Sequence, residues 1–420
     1  MCAGQYDLTG SWGSNACSGE KETGSLSAGD LGLNLSVSRL VERVIRAWRG
    51  VLLMVCAVFV VATGVAGCVA TGVASAQPAS VGQISNPQRD GLTGRPLSCP
   101  DPSVISAVRG KWRYFLFCTS DAGKNAFPIW MSEDLTHWYP DGWVFPSGTE
   151  PSWAVHSTGV TRFGRFWAPS IYRMHNHWVL YFAAEYNDAS HALGKVRLPP
   201  KTMVLGVATS NSLSGPWHSQ VLHYAGEFNA YNPRPQQERG GGDIDPGVVR
   251  DPRTGQLYIF WAEQREQIWE GSLSPNGLSI ARNIRVALGV TEPWECDPAD
   301  KSCTIEGPEP FYHDGKIFLM YSAANTWDSS YAVGVAASTE ALNPLDPFVK
   351  LPEPILRSGN GFLGPGRTSH PVTGPGGQSL ILYHALLRPI QHHFSNARTL
   401  MLGRLNWVNG WPLINDGTAS

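Results

Sequence analysis

With 420 residues, the chain is too long for a peptide module and long enough for one large domain or two ordinary ones. Charged residues make up 16% and the formal net charge is -2, which excludes a basic field for nucleic acid. Aromatic residues at 10%, with 45 Gly and 31 Pro, exclude a disordered chain and a helical bundle and point to an all-β domain of short strands and tight turns.

In chain order, residues 1–38 are rich in Gly, Ser and Leu without a period, and read as a non-native or disordered extension. Arg39, Arg43, Arg46 and Arg49 then precede residues 51–76, a run without charge. Ala74-Ser75-Ala76 before Gln77 fits the A-x-A cleavage site of a secretory signal. The same run is long enough to span a bilayer, and Val65-Ala66-Gly67-Cys68 resembles a bacterial lipobox. Residues 39–76 are therefore a cleaved signal, a lipoprotein anchor or an uncleaved anchor. All three place the rest of the chain outside the cytoplasm, secreted or attached to the cell envelope, with membrane contact only through this segment. Residues 77–97 read as a linker, and residues 98–415 as a single catalytic domain.

Four cysteines follow the export segment, an even number in an exported domain. Three pairings are open to them; the local pairs Cys99–Cys118 and Cys296–Cys303 are preferred, and are expected to lie outside the site described next. No CxxC or HxxxH spacing supports zinc.

The mature part repeats. A Pro opening an apolar strand, a Gly or Asn turn and a second strand centred on Tyr recur at Pro102–Tyr114, Pro169–Tyr181, Pro246–Tyr258, Pro308–Tyr321 and Pro371–Tyr383. The separations are 12, 12, 12, 13 and 12 residues. A third strand follows at residues 129–131, 204–209, 267–271, 332–337 and 400–405, then a turn and an aromatic at Trp138, Trp217, Phe348 and Trp411. Four strands per unit, five times over, predict a five-bladed β-propeller.

In a propeller the first strand of every blade lines the central channel, so residues in one slot converge around the axis. The slot before the opening Pro holds Asp101, Ala168, Asp245, Gly307 (with Glu306 beside it) and His370. Three carboxylates and a histidine in phase with the repeat point to a site rather than to turn residues alone. Crowded carboxylates cannot all ionise easily, so one is expected to act as an acid. An acid facing a base is the apparatus of glycoside hydrolysis. Trp167, beside the same ring, offers a flat face to a sugar or else packs between blades.

These residues resemble glycoside hydrolase family 43, the five-bladed arabinofuranosidases, arabinanases and β-xylosidases. The resemblance rests on Pro100-Asp101-Pro102, Trp167-Ala168-Pro169, Asp243-Ile244-Asp245-Pro246, Glu306-Gly307-Pro308 and Tyr383-His384-Ala385. It implies Asp101 as general base, Glu306 as general acid and Asp245 as the residue that tunes and orients the acid, with inversion at the anomeric carbon. Trp167, Arg367 and His384 are the expected substrate-binding residues. Many members carry Gly-x-Gly-His in blade five, with the His near a central calcium ion; this chain has Gly364-Pro365-Gly366-Arg367, and His370 three residues later. No cofactor is expected to be required. A structural calcium near His370 is one option, and a fixed charge from Arg367 in its place is the other.

The implied function is an exported exo-α-arabinofuranosidase acting on arabinan-type polysaccharide or oligosaccharide. A β-xylosidase or endo-arabinanase of the same family, and a non-catalytic carbohydrate-binding propeller, are the alternatives. A retaining fructosidase has only partial echoes, in Arg250-Asp251-Pro252 and Glu295-Cys296. Long segments at residues 186–203 and 224–242 favour a closed, exo-acting pocket over an open groove.

Overall fold

The computed structural model describes residues 84–120, 125–149, 151–154, 166–186, 202–224, 242–263, 266–338, 347–387 and 398–420. The export segment and most of the two long segments named above lie outside them. Among the described residues the structure is β throughout, with one 3-10 turn at Pro293–Glu295 and no α-helix.

Five sheets follow one another along the chain. Blade one holds Ser103–Arg109, Trp112–Phe117, Ala126–Ser132 and His137–Phe145; blade two holds Phe166–Met174, His177–Glu185, Met203–Ser210 and His218–Val221. Blade three holds Asp243–Arg250, Leu257–Glu263, Gln267–Leu273 and Ser279–Gly289; blade four holds Ile305–His313, Lys316–Ala323, Ala332–Ser338 and Phe348–Lys350. Blade five holds Phe362–Gly366 with Val372–Thr373, then Ser379–Leu387, Arg398–Val408 and Trp411–Ile414. The third strands and the outer aromatics fall where the repeat predicted them, and the five-bladed propeller stands.

The second strand of each blade is sandwiched between neighbours, so its two faces enter two different cores. Phe115 and Phe117 pack on blade two, whereas Tyr114, Leu116 and Cys118 pack on blade five. Leu180 and Phe182 face blade one; Val179 and Tyr181 face blade three. The pattern continues with Tyr258 and Phe260 against blade four, and with Phe318 and Met320 against blade five. Five inter-blade cores result, which is why these strands read as unbroken apolar runs rather than as alternation.

The ring closes through its ends. Gln88 N–H donates to the Leu400 carbonyl at 2.9 Å, Leu400 N–H to Leu97 at 2.8 Å and Cys99 N–H to Arg398 at 3.1 Å. Arg89–Asp90 also pairs in parallel with the outer strand of blade one. Closure thus takes in part of the segment expected to be a linker. At the other end, Ala419 N–H donates to the Arg357 carbonyl at 2.8 Å.

Two expectations need correction. The repeated Pro does not open its strand in blades two, three and four. It sits inside the strand at a bulge, between Trp167 and Ser170, Ile244 and Gly247, and Glu306 and Glu309. A bulge is the place in a sheet where the missing N–H of Pro costs no ladder bond. In blade five the corresponding bulge lies between Leu363 and Gly366, which puts Gly364-Pro365, and not His370-Pro371, in the slot. Pro371 lies six residues further on, and the five repeated tyrosines lie at different heights: Tyr114 is opposite Ser106, Tyr181 opposite Ser170 and Tyr258 opposite Val249.

Candidate active site

The slot residue is left-handed in every blade: Asp101 has φ 51°, Ala168 48°, Asp245 57°, Gly307 63° and Gly364 53°. This conformation costs a residue with a Cβ about 1 kcal/mol or more. Asp101, Ala168 and Asp245 bear that cost, the last two inside the bulges of blades two and three.

Asp101 is held at three points. Its N–H donates to Nδ1 of His384 at 3.2 Å, and its Oδ1 accepts from Nη1 of Arg398 at 3.2 Å. Oδ2 accepts from the hydroxyl of Thr119 at 2.5 Å, and that hydroxyl oxygen accepts in turn from the N–H of Ala168 at 2.7 Å. Both cysteine pairs are bonded as anticipated, Cys99–Cys118 and Cys296–Cys303. The first is not outside the site, however: Cys99 lies two residues before Asp101, and Cys118 adjoins Thr119. The bridge therefore clamps the segment of Asp101 to the end of the second strand. Burial alone would raise the Asp101 carboxyl, but the Arg398 guanidinium and the Thr119 hydroxyl outweigh it and hold the group below the ordinary carboxylate range.

Asp245 and Glu306 go the other way. Oδ2 of Asp245 accepts from the N–H of Gly307 at 2.9 Å, which ties blade three to the residue next to Glu306. Burial first, then the Asp101 charge, push Asp245 up to about 6 against the pull of Arg367 and the Gly307 N–H. Glu306 accepts from the hydroxyl of Tyr331 at 2.6 Å on Oε1. Burial first, then Asp245 and Asp101, push Glu306 up to about 7 against the Tyr331 hydrogen bond and Arg398. Two carboxyl groups on non-adjacent blades are thus separated in acidity, one held ionised and one held protonated near neutrality.

Arg367 and His384 are only 2% and 1% exposed, so neither offers a surface to a sugar. Their recorded partners are instead the backbone and side chains around the carboxylates. Nη1 of Arg367 donates to the Pro308 carbonyl at 2.9 Å and Nη2 to the Pro246 carbonyl at 3.1 Å, while its N–H donates to the Ser322 hydroxyl at 2.8 Å. His384 is kept neutral, with burial first and then Arg398 and Arg367 driving it down to about 3. A neutral ring agrees with Nδ1 accepting from Asp101. A calcium ion does not fit beside Arg367, because the Pro246 and Pro308 carbonyls there already accept from its guanidinium. Among the described residues no group of three or more His, Cys, Asp or Glu is placed to hold a metal ion. His370 is not brought to the three carboxylates; its half-exposed ring stands 3.4 Å from Oε1 of Glu309.

Trp167 is part-buried against Ala183, Met203, Ile244 and Ala262, so it packs between blades two and three while keeping some open surface. Four residues escaped the sequence reading. Thr119, Tyr331 and Arg398 stand at the end of a second strand or the start of a third. In an up-and-down blade those ends share one face with the start of the first strand, and that topological signal could have found them. The fourth is Trp327, 44% exposed, with the Arg398 guanidinium 5.7 Å from its ring centroid.

The acids that echoed a fructosidase have other duties. Asp251 caps the blade-three hairpin, accepting from Arg253 at 2.9 to 3.1 Å and from Thr254 at 3.0 Å. Glu295 is fully buried, accepting from the Tyr321 hydroxyl at 2.7 Å, from the N–H groups of Thr291 and Glu292 at 2.7 and 2.9 Å, and from Lys350.

Known proteins resemble this chain in sequence and in fold. An extracellular exo-α-(1→5)-L-arabinofuranosidase of Streptomyces avermitilis is 27% identical over 245 residues, 55% of this chain and 45% of that protein. One of the same name from Streptomyces chartreusis is 26% identical over 247 residues, 56% of this chain and 66% of its own length. The chain thus spans less than two thirds of either relative. A thermostable family-43 glycoside hydrolase of known structure superposes with a TM-score of 0.62 at 23% identity, covering 80% of this chain and 97% of its own, a likeness of fold. The family model named Glycosyl hydrolases family 43 matches residues 95–412, a span that carries all three carboxylates and all five blades but for the end of the last strand. The chain belongs to glycosyl hydrolase family 43.

Proposed function

We propose that this domain is an inverting exo-α-arabinofuranosidase that removes terminal arabinofuranosyl units from arabinan-type polysaccharide or oligosaccharide. The observation that carries the reading is the geometry that separates two carboxyl groups, Asp101 bonded to Arg398 and Thr119, and Glu306 bonded to Tyr331 beside the Asp245–Gly307 contact, which holds the first below the usual carboxylate range and pushes the second up. Ionised Asp101 takes a proton from a water molecule, whose oxygen bonds to the anomeric carbon. The bond to the leaving oxygen breaks on the opposite face, and that oxygen takes the proton of Glu306. Asp101 ends protonated and Glu306 ionised, and exchange with solvent restores both. Asp245 keeps Glu306 protonated until then. The choice of arabinose and of exo action is supported by the names of the two Streptomyces relatives. Those names and the two disulfides also support a location outside the cytoplasm.

Digestion of arabinan, xylan and arabinogalactan, resolved by product size, tests this. Arabinose is expected as the first product, with the polymer shortening slowly and the first-formed sugar of inverted configuration by proton NMR. Xylose alone would make the enzyme a β-xylosidase, and internal fragments an endo-arabinanase. Saccharide binding without cleavage would leave a carbohydrate-binding propeller.

Arg367 fills the electrostatic role that a channel cation would otherwise have. Chelator treatment is therefore expected to leave both turnover and Tm unchanged, and added calcium to leave Tm unchanged. Calcium at a hundred times its Kd would stabilise a binding protein by about 2.7 kcal/mol, a readily measured shift. Stoichiometric calcium in purified protein, with a Tm that follows calcium concentration, would overturn this.

A further inference from the structure

We propose that Tyr331 is a positioning residue: its hydroxyl occupies Oε1 of Glu306, so that the proton given to the leaving oxygen resides on Oε2. This rests on Glu306 being the acid.

The phenol is 2% exposed and its oxygen lies 2.6 Å from Oε1. Its ring runs parallel to His384, at an interplanar angle of 5° and a centroid distance of 6.3 Å. The bulge of blade five makes room for it. A Cβ on Gly366 would stand 2.0 Å from Cε1 of Tyr331, and one on Gly364 would stand 3.5 Å from its Cβ and 2.6 Å from the Asp328 carbonyl oxygen. The glycines of Gly364-Pro365-Gly366 therefore admit the turn that carries Tyr331, and the ring has one place to sit.

A phenol buried this deeply beside carboxyl groups stays protonated, since burial first and then the charge of Glu306 push it well above its ordinary value. It must donate, and Oε1 is its acceptor. A carboxylic acid whose Oε1 already receives a hydrogen bond carries its own proton on Oε2. The same bond favours ionised Glu306, and so opposes burial, Asp245 and Asp101, on the side of Arg398. Arg367 is also close, with Cδ 3.2 Å from where a Cβ on Gly307 would be, and His384 is neutral.

Tyr331→Phe tests the proposal, with aryl glycosides of good and poor leaving groups. Losing the hydrogen bond is expected to move the alkaline limb of kcat/KM up by about one pH unit. At the optimum, kcat should fall about 10- to 100-fold for poor leaving groups and much less for activated ones, because the proton is no longer confined to one oxygen. Asp245→Asn, which removes a negative neighbour, should move the same limb down, so the two shifts have opposite signs. Should Tyr331→Phe fail to fold, 3,5-difluorotyrosine at position 331 is a stronger donor and should lower the limb. An unmoved limb with equal losses for all leaving groups would reduce Tyr331 to packing and overturn the proposal. Glu306→Gln, measured alongside, separates the two failures: if it keeps turnover, the acid itself is misassigned.

Discussion

Asp101→Asn is expected to lower kcat/KM by about 10²–10⁴ while the propeller stays folded, since that is the usual cost of losing a general base. The backbone should accept the change, because Asn tolerates the left-handed conformation that position 101 adopts at φ 51°. The amide oxygen can still receive Arg398, but the amide nitrogen now faces the Thr119 hydroxyl, which must turn to accept instead of donate. Tm and circular dichroism check that nothing larger has moved. The acid limb of the native pH profile is expected to report this group, which is held below the ordinary carboxylate range, and to vanish in the variant. Azide supplies a second readout. A small anion can enter the space of the attacking water, and it needs no base. Turnover of an activated aryl glycoside should therefore recover with azide and give a glycosyl azide of inverted configuration. Activity within about tenfold of the wild type, with no response to azide, would remove Asp101 from the mechanism.

The blades were legible because each second strand is apolar on both faces, a property of composition that no distant contact alters. The slot was legible because Asp-Pro and Gly-Pro mark it, and the structure shows the cause in the bulge that seats a Pro after a left-handed residue. Blade five misled for the same reason. It offers Gly364-Pro365 and His370-Pro371, and the spacing to Tyr383 selects the second, although the bulge sits at the first. Spacing counts residues along the chain, whereas the bulge depends on which backbone groups pair. Tyr331 and Arg398 were missed on a related ground: each reaches its carboxylate from another part of the chain, Arg398 from 297 residues away. The Cys99–Cys118 pair was found, yet placed outside the site, since its bearing on the Asp101 side chain emerges only when Thr119 folds back onto Asp101. Arg367 shows the reverse. Its departure from the family pattern was visible at once, and its two carbonyl partners give that departure a physical meaning.

Glu306→Gln should divide substrates by how much help their leaving group needs. The amide cannot supply a proton, so glycosides with alkoxide-like leaving groups, natural linkages included, are expected to lose about 10²–10⁴ in kcat/KM. Aryl glycosides whose phenolate departs unaided should lose far less, because breaking their bond builds charge that needs no proton. The pH profile carries the sign. In the native protein Glu306 is raised to about 7, so the protonated, active form is present below that pH and is lost above it. In the variant no proton is there to lose, and the alkaline limb should flatten for activated substrates while the acid limb of Asp101 stays in place. Tyr331 can still donate to the amide oxygen, which keeps the side chain where the acid was and makes the comparison one of chemistry rather than of position. Equal losses for good and poor leaving groups, with the alkaline limb intact, would mean that another residue delivers the proton and that Glu306 only shapes the pocket.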